Sequence, residues 1–298
     1  MRDQSKLFTR FTVHARRMFH TWMLLALIGN TQVLSHPSTV LADIDSDSCA
    51  DAPALPAKEK FHLFLLAGQS NMAGRGAVEA QDKVAHPRVL MLAKDGAWKP
   101  AVNPLHFDKG SAGVGLGRSF AIALAEQEKD KDIVIGLIPA ACGGSPISTW
   151  QPGGYHGQTK SHPYDDAVSR THRAMKDGTL KGILWHQGES DGSASLAATH
   201  KQSLSELIAR FRKDLAAPKL PFVIGQLGQF QAKRWNEATK TVDQAHQSLA
   251  KESDTIAFVS SNDLTPNKDN IHFDAASQRT FGKRYAEAYL MLIKEKSK

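Results

Sequence analysis

Leu63-Phe64-Leu65-Leu66-Ala67-Gly68-Gln69-Ser70-Asn71-Met72-Ala73-Gly74-Arg75-Gly76 is the stretch that decides the fold. The run from Phe61 to Ala67 is apolar, with only His62 breaking it. It is too short for a typical buried helix. An apolar run of this length closed by Gly reads as a strand covered on both faces. The chain then turns at Gly68 and delivers Gln69-Ser70-Asn71 at the carboxyl end of that strand, the edge where open α/β sheets bind ligands. A serine on such a turn offers both its Oγ and its backbone N–H. The same residue type also caps helices, so the rest of the chain has to decide between the two roles.

Outward from this strand, short apolar runs alternate with helical patterns. The strands are expected at Val89–Leu92, Ile133–Ile138, Ile183–His186, Phe222–Gln226 and Ile256–Val259. The helices are expected at Gly117–Glu128, Asp165–Lys176, Ala194–Asp214, Arg234–Glu252 and Ala275–Lys296. Regular alternation implies right-handed crossovers and a mostly parallel sheet covered on both sides. The Gly/Ser/Pro/His-rich segment 143–163 reads as a long loop, and loops of that length are commonly functional.

The first 42 residues read as a secretory signal peptide. Five of the chain's cations (Arg2, Lys6, Arg10, Arg16, Arg17) precede the apolar stretch Trp22–Gly29, and Val40-Leu41-Ala42 offers a cleavage site. An uncleaved anchor is the competing reading, but the apolar stretch is shorter than the roughly 20 residues a bilayer span needs. A secreted or periplasmic location follows, with no stable membrane insertion after cleavage. Residues 43–59 are a polar, Pro/Ala-rich linker, and 60–298 form one domain. The formal charge of +7 on the whole chain comes mostly from the leader, where five Lys+Arg stand against one Asp. No basic stripe interleaved with aromatics appears in the remainder, which argues against a nucleic-acid partner. The two cysteines, Cys49 and Cys142, either pair or leave Cys142 as a buried thiol. No metal-ligand spacing of the CxxC or HExxH type is present.

Three further segments are expected at the rim that carries Ser70. Gly113-Val114-Gly115-Leu116-Gly117 opens a helix and offers backbone N–H groups at a positive dipole end. It lacks the Lys and Ser/Thr of a phosphate-binding loop. Trp185-His186-Gln187-Gly188-Glu189-Ser190-Asp191 follows a strand, and Gln187 carries an amide donor suited to an oxyanion. Alternatively, Gln187 and Glu189 satisfy loop backbone. Asp269-Asn270-Ile271-His272-Phe273 puts a carboxylate and an imidazole on one turn, so that Asp269 can hold Nδ1–H and leave Nε2 free as a base. Together the pieces make Ser70 a nucleophile, His272 its base and Asp269 the orienter. The N–H groups of Ser70 and Gly115 and the Gln187 amide are the oxyanion donors. Met72 departs from the Gly-x-Ser-x-Gly pattern, which disfavours an α/β-hydrolase elbow.

These blocks, Gly68–Met72, Gly113–Gly117, Trp185–Asp191 and Asp269–Phe273, resemble in order those of SGNH-type carbohydrate esterases. The resemblance is to the sialate O-acetylesterase-like and acetylxylan esterase branch, carbohydrate esterase family 6. Ile138–Ser145 is also similar to a loop of that branch. The resemblance covers about residues 60–295. It implies a three-layer α/β/α sandwich with a flavodoxin-like sheet and O-deacetylation of an acetylated carbohydrate. It further implies Ser70, Asp269 and His272 as the triad, Gly115 and Gln187 as oxyanion donors and Glu189 as a support. It implies neither a metal nor an organic cofactor. A carbohydrate-binding protein without turnover and an SGNH lipase or thioesterase are the alternative readings. Trp150, Tyr155, His156 and Arg75 are the candidates to line a sugar site.

Overall fold

The structure is a computed structural model that describes residues 54–230 and 235–295. The expected leader, most of the expected linker and Cys49 lie outside the described residues.

β1 (Phe61–Gly68) is the centre of the sheet, as its sequence requires. Its side chains alternate between two cores. Phe61, Leu63, Leu65 and Ala67 enter one, and Phe64 and Leu66 the other. Around it lie β2 (Val89–Leu92), β3 (Trp98–Pro100), β4 (Val134–Pro139), β5 (Thr179–His186), β6 (Phe222–Gly225) and β7 (Ile256–Val259), in the spatial order β3-β2-β4-β1-β5-β6-β7. Every pairing is parallel except β2 with β3. Without the β2–β3 edge the order is that of a flavodoxin-like sheet, with the first strand between the second and third.

The helices are α1 (Ser70–Ala73), α2 (Leu116–Gln127), α3 (Pro163–Ala174), α4 (Ala194–Asp214), α5 (Glu237–Lys251) and α6 (Ala275–Glu295). α3 and α4 pack on the β1 face that carries Leu63 and Leu65. There Ala167, Leu204, Leu207 and Phe211 join Trp185 and Phe222. α2 and α6 cover the opposite face. There Phe64 meets Phe120 and Tyr289 edge-on, at ring separations of 4.9 and 5.0 Å.

The expected three-layer sandwich is therefore present, with local differences. β5 begins at Thr179, four residues early: Lys181 and Gly182 interrupt the apolar run, and the strand continues past them through a register shift that skips Lys181. α5 starts at Glu237, where the Asn236 side chain accepts the Thr239 N–H at 3.0 Å and caps the helix. β3 and the single turn of α1 are too short to leave a periodic signal. β3 is fixed by its first residue. Trp98 packs on Phe61 at 4.6 Å and donates from Nε1 to Asp177. Of the three blocks beyond the Ser70 turn, only 185–191 follows a strand directly. The 113–117 block reaches the rim through an antiparallel bridge between Gly76 and Val114, and the 269–273 turn belongs to the loop after β7.

The turn out of β1 depends on Gly68. Its φ is +130°, and a Cβ there would lie 2.2 Å from the His186 carbonyl oxygen, which already accepts the Gln69 N–H. Gly68→Ala should therefore combine backbone strain of about 1–3 kcal/mol with a backbone clash. Chemical denaturation should show a clear loss of stability, and an unchanged midpoint would contradict this account of the turn.

Candidate active site

Gln69, Ser70 and Asn71 leave β1 in three directions, and each joins a different part of the chain. The Gln69 side-chain oxygen accepts the N–H groups of Gly188 and Ser190 at 3.4 and 3.3 Å, tying the turn to the loop after β5. Ser70 opens α1 at the rim, and its Oγ lies 2.9 Å from His272 Nε2. Asn71 is buried. Its Nδ2 donates to Glu189 at 2.6 Å, and its Oδ1 accepts the Phe273 N–H at 3.1 Å. Its own carbonyl accepts from Gln278 on α6 at 3.0 Å.

The turn that carries the imidazole is organised by its own aspartate. Asp269 Oδ1 accepts the backbone N–H groups of Ile271 and His272 at 2.8 and 2.9 Å. Oδ2 lies 2.6 Å from His272 Nδ1. Asn270 takes the left-handed conformation between them (φ 53°), one that asparagine tolerates. Partial burial raises the Asp269 pKa. The hydrogen bonds from the His272 ring and from the two backbone N–H groups outweigh it and hold the carboxyl below the usual carboxylate range. The structure thus brings Asp269, His272 and Ser70 into one line, although 202 residues separate the last two.

Gly115 stands at the N-cap of α2, close against the Ser70 turn: a Cβ on Gly74 would lie 2.4 Å from its nitrogen. A Cβ on Gly115 itself would come within 2.9 Å of the Met72 carbonyl. Among the described residues neither the Ser70 nor the Gly115 N–H has an acceptor. Gln187 departs from expectation. It is fully buried, and its amide group donates to Asp191 at 2.8 Å and to the Ser145 carbonyl at 3.2 Å. Both amide hydrogens are engaged inside the loop, so in this geometry Gln187 braces the rim and does not donate to an oxyanion beside Ser70. Glu189 lies behind the Ser70 turn, and Asn71 Nδ2 and His186 Nε2, at 2.6 and 3.5 Å, face the same oxygen. Burial raises the Glu189 pKa. The His186 ring and the Asn71 amide more than offset it, and the carboxyl stays below its ordinary value.

Asp191 is an organising residue that the sequence reading passed over. It is fully buried and accepts from Gln187, from the Ile147 N–H at 3.2 Å and from His200 Nδ1 at 3.1 Å, so it joins the loops after β4 and β5. Its place four residues after Gln187, in a loop otherwise rich in Gly and Ser, was the available signal. The sugar-site candidates need correction. Trp150 is buried edge-on against Trp185, with its N–H spent on Ser145. Arg75 is buried in an ion pair with Asp108 at 2.8 Å. His156 is buried beside the Gly143 carbonyl, and only Tyr155 is well exposed. Cys142 is a free, buried thiol bonded to Thr159 and Ser161, and burial pushes its pKa up.

A flavodoxin-like three-layer sandwich thus presents Ser70, His272 and Asp269 in line at the carboxyl edge of its sheet. The profile of the carbohydrate esterase family described as sialic acid-specific acetylesterase matches residues 60–291, and the chain belongs to that family. The chain is 33% identical over 251 residues to a probable carbohydrate esterase of Arabidopsis thaliana, covering 76% of this chain and 90% of the relative. The crystal structure of that plant protein matches with a TM-score of 0.66 at 32% identity, over 79% of this chain and 98% of the other. A probable 9-O-acetyl-N-acetylneuraminic acid deacetylase of Escherichia coli strain K12 is 25% identical over 208 residues, covering 54% of this chain and 63% of its own length. NanS shares the fold at 22% identity, with a TM-score of 0.65 over 82% of this chain and all of NanS.

Asn71→Ala would release the 269–273 turn from the Ser70 turn. We expect turnover of an aryl acetate to fall about 100-fold, the scale of a small misplacement of reacting groups, with the circular dichroism spectrum retained; undiminished turnover would show that the clamp is dispensable. For Glu189 the sign is set by a depressed folded-state pKa. Its contribution to stability is present above the ordinary value of 4.5 and is lost as pH falls through the folded value. Glu189→Gln should therefore be less stable than wild type at pH 7, and the gap should close in acid. A gap that widened in acid would invert the assignment.

Proposed function

We infer that this chain is a serine carbohydrate esterase that removes O-acetyl groups from a glycan through an acetyl-enzyme. The Ser70 Oγ attacks the acetyl carbonyl while His272 Nε2 takes its proton, and Asp269 holds the ring by Nδ1–H. The tetrahedral oxyanion is met by the N–H groups of Ser70 and Gly115. Collapse breaks the ester bond, and His272 returns the proton to the departing sugar oxygen. A water molecule, deprotonated by the same imidazole, then attacks the acetyl-serine and releases acetate. Acetylxylan and O-acetyl sialic acid are both within the substrate class this chemistry serves.

The observation that carries the reading is the line from Asp269 through His272 to Ser70, with its spacings of 2.6 and 2.9 Å. Family membership supports the substrate class, and the unpaired N–H groups of Ser70 and Gly115 support the oxyanion role. The binding-protein alternative has no observation in its favour.

Ser70→Ala should lose at least about 10³-fold in kcat on an aryl acetate, with folding intact. Acetate release from a panel of acetylated glycans should show the same loss. Turnover that survives the substitution would end the mechanism, and glycan binding with no acetate release by the wild type would select the binding-protein alternative.

A further inference from the structure

A recess of about 380 Å3 opens beyond the carboxyl ends of β2 and β4, against α3. Its size is within the range of small-molecule sites. Ser70 and His272 do not line it, but it is joined to their turn. Its wall residue Cys142 donates its N–H to the Gly68 carbonyl at 2.8 Å, two positions before Ser70. β4 is also the immediate neighbour of β1, and adjacent strands lie about 4.8 Å apart. The recess therefore lies at the same carboxyl edge of the sheet as Ser70.

The charge of the recess is unbalanced. Lys94, Lys160 and Arg170 line it, and among the described residues none of the three has a carboxylate hydrogen-bonded to it. Arg170 is built in. Its Nε donates to the Pro139 carbonyl at 2.9 Å, and its Nη2 donates to the carbonyls of Leu92 and Ala93 at 2.6 and 3.2 Å. The guanidinium also lies 4.7 Å over the Phe107 ring. Three carbonyls and an aromatic face thus fix the fork, while Nη1 has no protein acceptor among the described residues. A rigid guanidinium with one free nitrogen can still donate a charge-assisted hydrogen bond to a carboxylate. Of the two carboxylates in the wall, Asp108 is neutralised by Arg75 from outside the recess, and Asp166 accepts the His162 N–H. Three cations thus face one anion, Asp166, whose charge acts on Arg170.

Resting on the esterase reading above, we propose that this recess is an anion subsite that receives the carboxylate of an acidic sugar unit while the ester lies at Ser70. That carboxylate has two sources, a uronic-acid unit beside the acetylated sugar or the acetylated sugar's own carboxylate, as in a sialic acid. The exposed lysines Lys94 and Lys160 steer and select, and Arg170 fixes the carboxylate in place.

Lys94→Glu/Lys160→Glu reverses two exposed charges without touching the reacting groups. On an acetylated oligosaccharide carrying glucuronic acid, or on O-acetyl sialic acid, kcat/KM should fall at least about tenfold, because like charges then face each other. Hydrolysis of an uncharged aryl acetate should be unchanged. Whichever acidic substrate suffers the selective loss identifies the source of the carboxylate. Ser169→Trp, an exposed α3 position in the recess wall, should give the same split by filling the space. An equal fall on charged and uncharged substrates, or no fall on either, overturns the subsite. If the wild type releases no acetate from any substrate, the esterase reading fails by itself. Calorimetry with free glucuronate against glucose then decides the subsite alone: selective binding lost in the charge-reversed variant sustains it, and equal binding overturns it.

Discussion

The structure depends on one buried amide. Asn71 sits next to the serine in sequence and spends its side chain on two remote segments, the carboxylate of Glu189 and the backbone of Phe273. A buried amide left unpaired is costly, so these bonds act as a condition on the fold. Where Asn71 is satisfied, the turn carrying His272 has to lie over Ser70. The hydrogen bond between Ser70 and His272 is partly exposed to water and could not hold the two segments together alone. Gln69 anchors the loop after β5 in the same way. Three consecutive side chains at the end of one strand thus gather the whole rim.

The two carboxylates of the site are stabilised differently. Asp269 is 42% exposed in its side chain and is held charged by backbone N–H groups of its own turn as well as by the ring it orients. It is preorganised locally and depends little on the core. Glu189 is 17% exposed and depends on groups from α1 and β5. Its charge is part of the packing between those two elements.

Much of this arrangement could be read in the sequence. The apolar run ending in Gly68 identified the central strand, and the Asp-x-x-His spacing identified a turn that can orient its own imidazole. What was not readable was direction. Gln187 has the right side chain for an oxyanion donor, and nothing in its type reveals that Asp191 and Ser145 claim both of its hydrogens. Trp150 and Arg75 were misplaced for the same reason: a large polar-edged side chain in a loop suits a binding wall or the core equally until its neighbours are known. Asn71 escaped notice because its partners lie 118 and 202 residues away. β3, at three residues, offers no period at all.

That short strand also determines what the sheet can do in company. β3 runs against β2 and ends in Pro100, which has no N–H to offer, while the neighbouring Lys99 is exposed and paired with Asp95. An exposed sheet margin is a template on which other chains aggregate. A brief reversed ribbon bearing a charge and a proline presents too few free donors to recruit one. The β2 side of the sheet thus ends in a margin poorly suited to templating another strand.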